Sequence, residues 1–339
     1  MIRRLGSLLD RFWFSNVDPW QLGILRIVLI GGLALPRISK SLNWLEWAAE
    51  TPIELMQPVL AIRLLHLPYP MPQEMIGWFG IIVRTAGFCA LFGIFTRVSL
   101  ILFSLGFLYL AGGQSSWGFF AHTPSLPAQA LLILAFAPGS DAWSLDRVFK
   151  TLGSREEKES FWNRLRGPLV SAWGLRLILV LLALTYFSAG LSKIRYSGLK
   201  WADGKTLGFY MNGSSISQLQ QFSGPIRPSS KQLWKDGFGI ENYLYATPGT
   251  KLSRRLAQNA GFMAILSVFT LVTELGFPLV LLGGFFQTIF LLAAASFHAG
   301  SHHLMGVNFD PWLYVCLILV DWKTLIKKGK LVWDSINRY

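Results

Sequence analysis

The chain has 339 residues, 52% of them hydrophobic and only 14% charged, with a formal net charge of +13. Soluble domains carry about 25% charged residues, so this balance, together with 14 Trp and 25 Phe, points to a polytopic membrane protein. The positive charge does not read as a nucleic-acid surface, because the basic residues fall in loops between apolar runs.

The first twenty residues, "MIRRLGSLLDRFWFSNVDPW", are basic and amphipathic. They lack a small-residue cleavage site, and no cleaved signal peptide is expected. A membrane span needs about 20 mostly apolar residues, fewer where a segment is buried in a bundle. Eight segments answer that description: 20–36, 75–95, 98–113, 125–138, 173–191, 260–283, 285–298 and 311–322. The expected fold is an all-α polytopic membrane protein, a helical bundle of about eight transmembrane segments with an irregular outer cap. It reads as a single domain over 1–339, with a cytoplasmic loop at 139–172 and the outer cap at 192–259. Cys89 and Cys316 both lie in apolar runs and read as small buried hydrophobes, not as a disulfide.

Loop charge orients the bundle. With the N-terminus in the cytoplasm, the inner segments carry Arg3, Arg4, Arg11 and Arg97, six basic residues in 139–172 and five in the C-terminal tail. The outer loops 114–124 and 299–310 carry none. Both termini are therefore expected in the cytoplasm, and Lys193, His122, His298, His302 and His303 at the outer ends of spans.

Charges inside spans are costly and face a cavity or a partner. Arg26, Arg84, Arg176 and Glu274 are such residues. A structural acid–arginine pair and a proton relay both account for Glu274, and a transporter would use it with Arg26 and Arg84. Pro278, one turn on, is expected to loosen the helix and free a carbonyl. His298 and His302 stand at i, i+4 spacing, which suits a metal, substrate contact or a polar pore mouth. His122, beside Pro124, is expected near a helix N-terminus, where a neutral imidazole is favoured. Lys193 ends an apolar run behind Ser188, Ala189, Gly190 and Ser192. A snorkelling anchor is the ordinary reading. The small residues, however, let a helix or a flat ligand approach closely, and a buried neutral amine there is a base.

"YFSAGLSKIRYSGLKWADG" (186–204) resembles the vitamin K-dependent gamma-carboxylases and their shorter bacterial relatives, the horizontally transferred transmembrane (HTTM) domain proteins. Ala189, Gly190, Lys193, Trp201, Asp203 and Gly204 carry the match. "LGILRIVLIGGL", "LFGIFTRVSLILFSLGFLYL", "SSWGFFAHTPSL" with "AWSLDR", and "FHAGSHHLMGVNF" are similar to family segments in the same order. The resemblance implies a membrane enzyme that uses a reduced quinone, oxygen and carbon dioxide without a metal. Lys193 would be the base and His122 the quinol-orienting group. His298, Trp201, Tyr186, Trp117, Arg26 and Glu274 would contact quinol or substrate. The implied setting is a bacterial inner membrane, with membrane lipids and quinone as partners and a peptide or protein substrate open at the outer face. The family's double lysine is Ser192-Lys193 here, so glutamate carboxylation does not carry over directly. A non-catalytic lipid- or quinone-binding protein, or a partner in peptide maturation or export, is the alternative.

Overall fold

The computed structural model describes residues 2–51, 54, 56–64, 66–116, 122–153, 160–212, 250–305, 310–322 and 325–326. The chain divides into two compact units, Met1–Ile178 and Leu179–Tyr339. Five helical runs among the described residues are long and apolar enough to cross a membrane: Trp20–Glu50, Gln73–Phe92, Thr96–Ser115, Trp173–Asp203 and Ala260–Leu282. The other three expected segments are also helical, but they fall outside this criterion. Length and composition thus establish five spans among the described residues, against the eight expected.

The first unit begins with the amphipathic helix α1 (Ile2–Phe14). Next, α2 (Trp20–Ile27) continues through a π-helical stretch, Val28–Ala34, into α3 (Leu35–Glu50). A short α4 (Leu60–Leu64) precedes the hairpin of α5 (Gln73–Phe92) and α6 (Thr96–Ser115). Then follow α7 (His122–Phe136), α8 (Leu145–Gly153) and α9 (Phe161–Arg166). A two-residue antiparallel pairing of Asn16–Val17 with Val170–Ser171 ties the chain ahead of α2 to the chain ahead of α10 (Trp173–Ser197).

Arg26 explains how this unit is locked. It is fully buried, a costly position for a charge that the bonds of its two terminal nitrogens offset, while Nε has no acceptor among the described residues. Nη1 donates to Ser140 O and Nη2 to Trp143 O, both at 2.9 Å. The carboxylates of Asp141 and Asp146 offset the charge. Gly23 brings α2 against the same turn, since a Cβ there would lie 2.4 Å from Ala142 O. The α5–α6 turn is fastened to it as well. Gly93 (φ +69°) has no room for a side chain beside Ser144, and its carbonyl accepts from Asp146 N at 3.0 Å.

The second unit takes in α10 from Leu179 onward, a 3-10 turn at Gly198–Asp203, α11 (Lys205–Met211) and α12 (Lys251–Ala257). The described flanks of the expected outer cap are thus helical; its middle, 213–249, lies outside the described residues. The unit continues with α13 (Ala260–Gly276), a 3-10 stretch at Phe277–Leu282, α14 (Gly284–Met305) and α15 (Asp310–Leu319). Asn259 caps α13 by accepting from Phe262 N at 2.9 Å. Buried Gln287 joins α14 to α15 through Leu319 O, also at 2.9 Å. Pro278 ends α13, as its missing N–H requires. The Glu274 carbonyl is not left free: Phe277 N–H bonds it at i+3 spacing, and the chain tightens to 3-10.

Asp146 holds the α5–α6 turn by accepting from Phe95 N (3.0 Å), Thr96 N (2.7 Å) and Thr96 Oγ1 (2.7 Å). These bonds cap α6 and hold Phe95 at φ +47°. Burial alone would raise the Asp146 carboxyl. The bonds from Thr96 and Phe95, helped by Lys150, outweigh burial and set it below its ordinary value. Such a group stabilises the fold at pH above the unfolded-state pKa, and the contribution is lost as pH falls through the lowered folded value. Asp146→Ala should therefore cost about 1–2 kcal/mol at neutral pH, read by thermal unfolding in detergent. The gap between variant and wild type should close as the pH drops below about 4.

Candidate functional site

The site lies in the second unit, where α10 and α13 run antiparallel. Gly190 is buried on the facing side of α10, and a Cβ there would lie 2.9 Å from Glu274 Cβ and 3.0 Å from Leu275. The missing side chain lets the two helices close up. Two cross-links flank it. One turn beyond, Lys193 Nζ donates to both oxygens of Glu274, at 2.7 and 2.8 Å. One turn before, the Tyr186 ring stacks on Phe277 with centroids 4.1 Å apart and planes 14° apart. Tyr186 and Lys193 are seven apart and share one face of α10, while Glu274 and Phe277 are three apart on the opposing chain.

Lys193 keeps a quarter of its side chain exposed, against 5% for Glu274. Its ammonium also lies over the Trp201 ring, 5.2 Å from the centroid. Trp201 is placed by the 3-10 turn and the glycine that follows. Gly204 (φ +83°) packs so tightly on α13 that a Cβ would lie 2.5 Å from Ala264 N. Asp203 Oδ1 accepts from Lys205 N at 2.8 Å and starts α11. The sequence Trp201-x-Asp203-Gly204 is thus a turn that folds an aromatic ring back over Lys193.

Behind the stack is a buried polar group. The Tyr186 hydroxyl is hydrogen-bonded to His298 Nε2 and lies 3.7 Å from Cys316 Sγ. The His298 ring lies in a near-parallel stack on Trp312, with centroids 6.3 Å apart. Trp312 Nε1 is buried and has no acceptor among the described residues.

The sequence-predicted residues divide accordingly. Lys193, Glu274, Trp201, Tyr186 and His298 come together. His122 is the first residue of α7, in line with the expected helix N-terminus, but its side chain lies outside the described residues, as does Trp117. Arg26 belongs to the first unit and spends its terminal nitrogens on Ser140 and Trp143. Glu274 pairs with Lys193 rather than with an arginine. Arg84 is exposed and donates to Ser39 Oγ at 3.4 Å, and Arg176 lies over the Phe12 ring at 5.0 Å. No three His, Cys, Asp or Glu among the described residues are grouped to hold a metal. His298 turns to Tyr186, while the His302 and His303 rings meet edge to face. Phe277, Cys316 and Trp312 join the site although their residue types alone do not point to it. The Pro278 signal marks the place of Phe277, but no local pattern marks the other two.

The apolar helical runs and the buried lysine–carboxylate pair define an integral, helical membrane protein with polar chemistry set inside one unit. The family model for the HTTM domain matches residues 14–224, and the chain belongs to that family. No curated protein and no solved structure matches the chain. The matched segment contains Tyr186, Lys193 and Trp201; Glu274, Phe277, His298 and Trp312 lie beyond it.

Removing one member of a buried ion pair strands the other, whereas replacing both by apolar groups is often nearly neutral. Lys193→Met should cost about 3 kcal/mol in detergent thermal unfolding, near the low end for a buried pair because Lys193 retains some solvent. Adding Glu274→Leu should restore most of that loss. A double-mutant cycle with no coupling would show that the pair contributes only independent contacts.

Proposed function

We propose that this HTTM-domain protein is a quinol-dependent membrane enzyme in which the Lys193–Glu274 pair moves a proton. The observation that carries the reading is the bidentate contact between Lys193 Nζ and Glu274, closed over by Trp201 and continued by the Tyr186–His298 group. A lysine fixed by a carboxylate has a built-in proton partner. The pair holds one proton either as ammonium and carboxylate or as amine and carboxylic acid. In the second arrangement Nζ has a lone pair for an incoming proton, and Glu274 can release its own afterwards.

The surroundings fit a flat ring with polar edges. Tyr186 stacked on Phe277 and His298 stacked on Trp312 line the site with rings, and Trp312 Nε1 is a buried donor with no acceptor among the described residues. These side chains would hold a reduced quinone, with Tyr186 and His298 orienting its oxygen. Once bound, a quinol supplies an ionisable hydroxyl proton and two electrons for reaction with oxygen. Lys193 Nζ would take the hydroxyl proton beneath the Trp201 ring, with the more deeply buried Glu274 as its proton partner. His122, by the family resemblance, would also orient the quinol. Carbon dioxide and a peptide substrate at the outer face belong to the same reading, as do a bacterial inner membrane and cytoplasmic termini, which rest on the loop-charge pattern.

A second reading is favoured by the same ion pair. A lysine satisfied at both carboxylate oxygens also serves as a packing lock, and the protein would then bind quinone or lipid, or assist peptide maturation, without turnover.

The test uses the full chain in proteoliposomes supplied with a reduced naphthoquinone. Oxygen uptake and oxidised quinone products are followed by electrode and mass spectrometry. An enzyme should lose about 10²–10⁴-fold in rate on Lys193→Ala. Undiminished quinol-dependent turnover in Lys193→Ala would exclude Lys193 as the base. Saturable quenching of tryptophan fluorescence by quinone, without turnover in the wild type, would establish the binding reading instead.

A further inference from the structure

Between α7 and α10 lie two short helices, α8 and α9, outside the long apolar runs. The turn that leads into α8 gathers the ends of those runs. A Cβ at Gly23 of α2 would lie 2.4 Å from Ala142 O. One at Gly93, just past α5, would lie 2.2 Å from Ser144 Cβ, and one at Gly174, in the first turn of α10, 2.4 Å from Ala137 Cβ. Asp146, the second residue of α8, accepts from Phe95 N and Thr96 N at the start of α6. The runs that begin at Trp20, Thr96 and Trp173, and the one that ends at Phe92, are all long and apolar enough to span. The start of α8 is therefore held at the level where these spans leave the bilayer.

The side chains of α8 divide by face. Asp146 is spent on the α5–α6 turn, Arg147 Nε is paired with Asp141 Oδ2 at 2.9 Å, and Thr151 is buried. Leu145, Phe149 and Leu152 recur at i, i+4 and i+7, share one face away from Arg147, and are exposed. Phe149 and Leu152 of α8, Trp162 of α9 and Leu169 are each 64–71% exposed.

The same character marks the span ends beside them. Phe92, Phe95 and Val98 around the α5–α6 turn, and Phe136 at the end of α7, are each more than half exposed. Large apolar side chains exposed in series call for a cover. On the span ends that cover is lipid, and the bonds of Asp146 bring α8 to the same level. A helix with one apolar and one polar face, and with Trp next to Phe and Leu, suits the boundary between headgroups and acyl chains.

We propose that α8 and α9 form an in-plane anchor in the surface of a phospholipid bilayer. Phe149 and Leu152 enter the acyl region, and Trp162 and Leu169 sit at the headgroup boundary. The segment 139–172, which reads in the sequence as a loop, is then a second kind of membrane contact beside the spans. It is independent of Lys193 and of quinol turnover.

The experiment reconstitutes the full chain in phosphatidylcholine liposomes, with photoreactive benzoylphenylalanine in place of Phe149, Leu152 or Trp162, one at a time. The control carries it in place of Lys150, which is also exposed but lies on another face of α8. Each replaced side chain is exposed, so the fold should be kept, and circular dichroism checks it. After irradiation, adducts are identified by mass spectrometry. Phospholipid adducts at Phe149 and Leu152 should exceed those at Lys150 by at least about tenfold, the preference that burying one such side chain confers. Crosslinking from Phe149 to a second copy of the chain, in place of lipid, would make this face a contact between copies and overturn the anchor. Lipid adducts at Phe149 and Leu152 within about twofold of those at Lys150 would place the face in water and overturn it as well.

Discussion

A lysine and a glutamate held at hydrogen-bond distance between two apolar helices constrain everything else in the second unit. Neither charge is cheap to bury alone, so the helices must stay close enough, and in the right register, for both carboxylate oxygens to be met. Gly190 permits the approach by presenting no side chain to Glu274. Gly204 repeats the device further along α13, where a backbone in the left-handed region returns the chain and carries Trp201 over the ammonium. The aromatic stack of Tyr186 on Phe277 keeps the same register from the other side of Gly190. Glycines, rings and charges answer one geometric demand.

The first unit meets the same cost of buried polarity by a different route. Arg26 makes its hydrogen bonds not to an acidic side chain but to backbone carbonyls of the turn that precedes α8. That turn in turn captures the α5–α6 connection through Asp146. A fully buried guanidinium is tolerable because a tight loop can present several carbonyls in the directions its fork requires. The unit is thus organised around a loop, the second unit around a helix pair.

Much of this was legible in the sequence, for definable reasons. Apolar length located the five long helical runs, because lipid demands continuous backbone hydrogen bonding. Gly190 and Lys193 stood out because small residues beside a charge at a span end permit close approach of a helix or ligand as well as a snorkelling anchor. Residue chemistry could flag Glu274 but not name its partner, since 81 residues separate it from Lys193 and only the fold brings them together. Cys316 and Trp312 were invisible for the same reason: an apolar residue in an apolar run has no local mark of the ring or hydroxyl it will meet. Pro278 correctly announced a break in α13, but the carbonyl expected to be freed is taken by Phe277 N–H, because a 3-10 bond was open to it.

That break places the two rungs of the site on different kinds of helix. Glu274 belongs to the last turn of α13, and Phe277 opens the tighter 3-10 stretch beyond Gly276. The ion pair and the ring stack therefore sit on either side of a change in pitch, where the chain has lost the regular i to i+4 ladder that stiffens a helix against bending. A span that is uniform in hydrophobicity is mechanically uneven, and its joint falls between the group that carries charge and the group that carries the rings. Any bend at Gly276 displaces one rung against the other while leaving the rest of each helix straight.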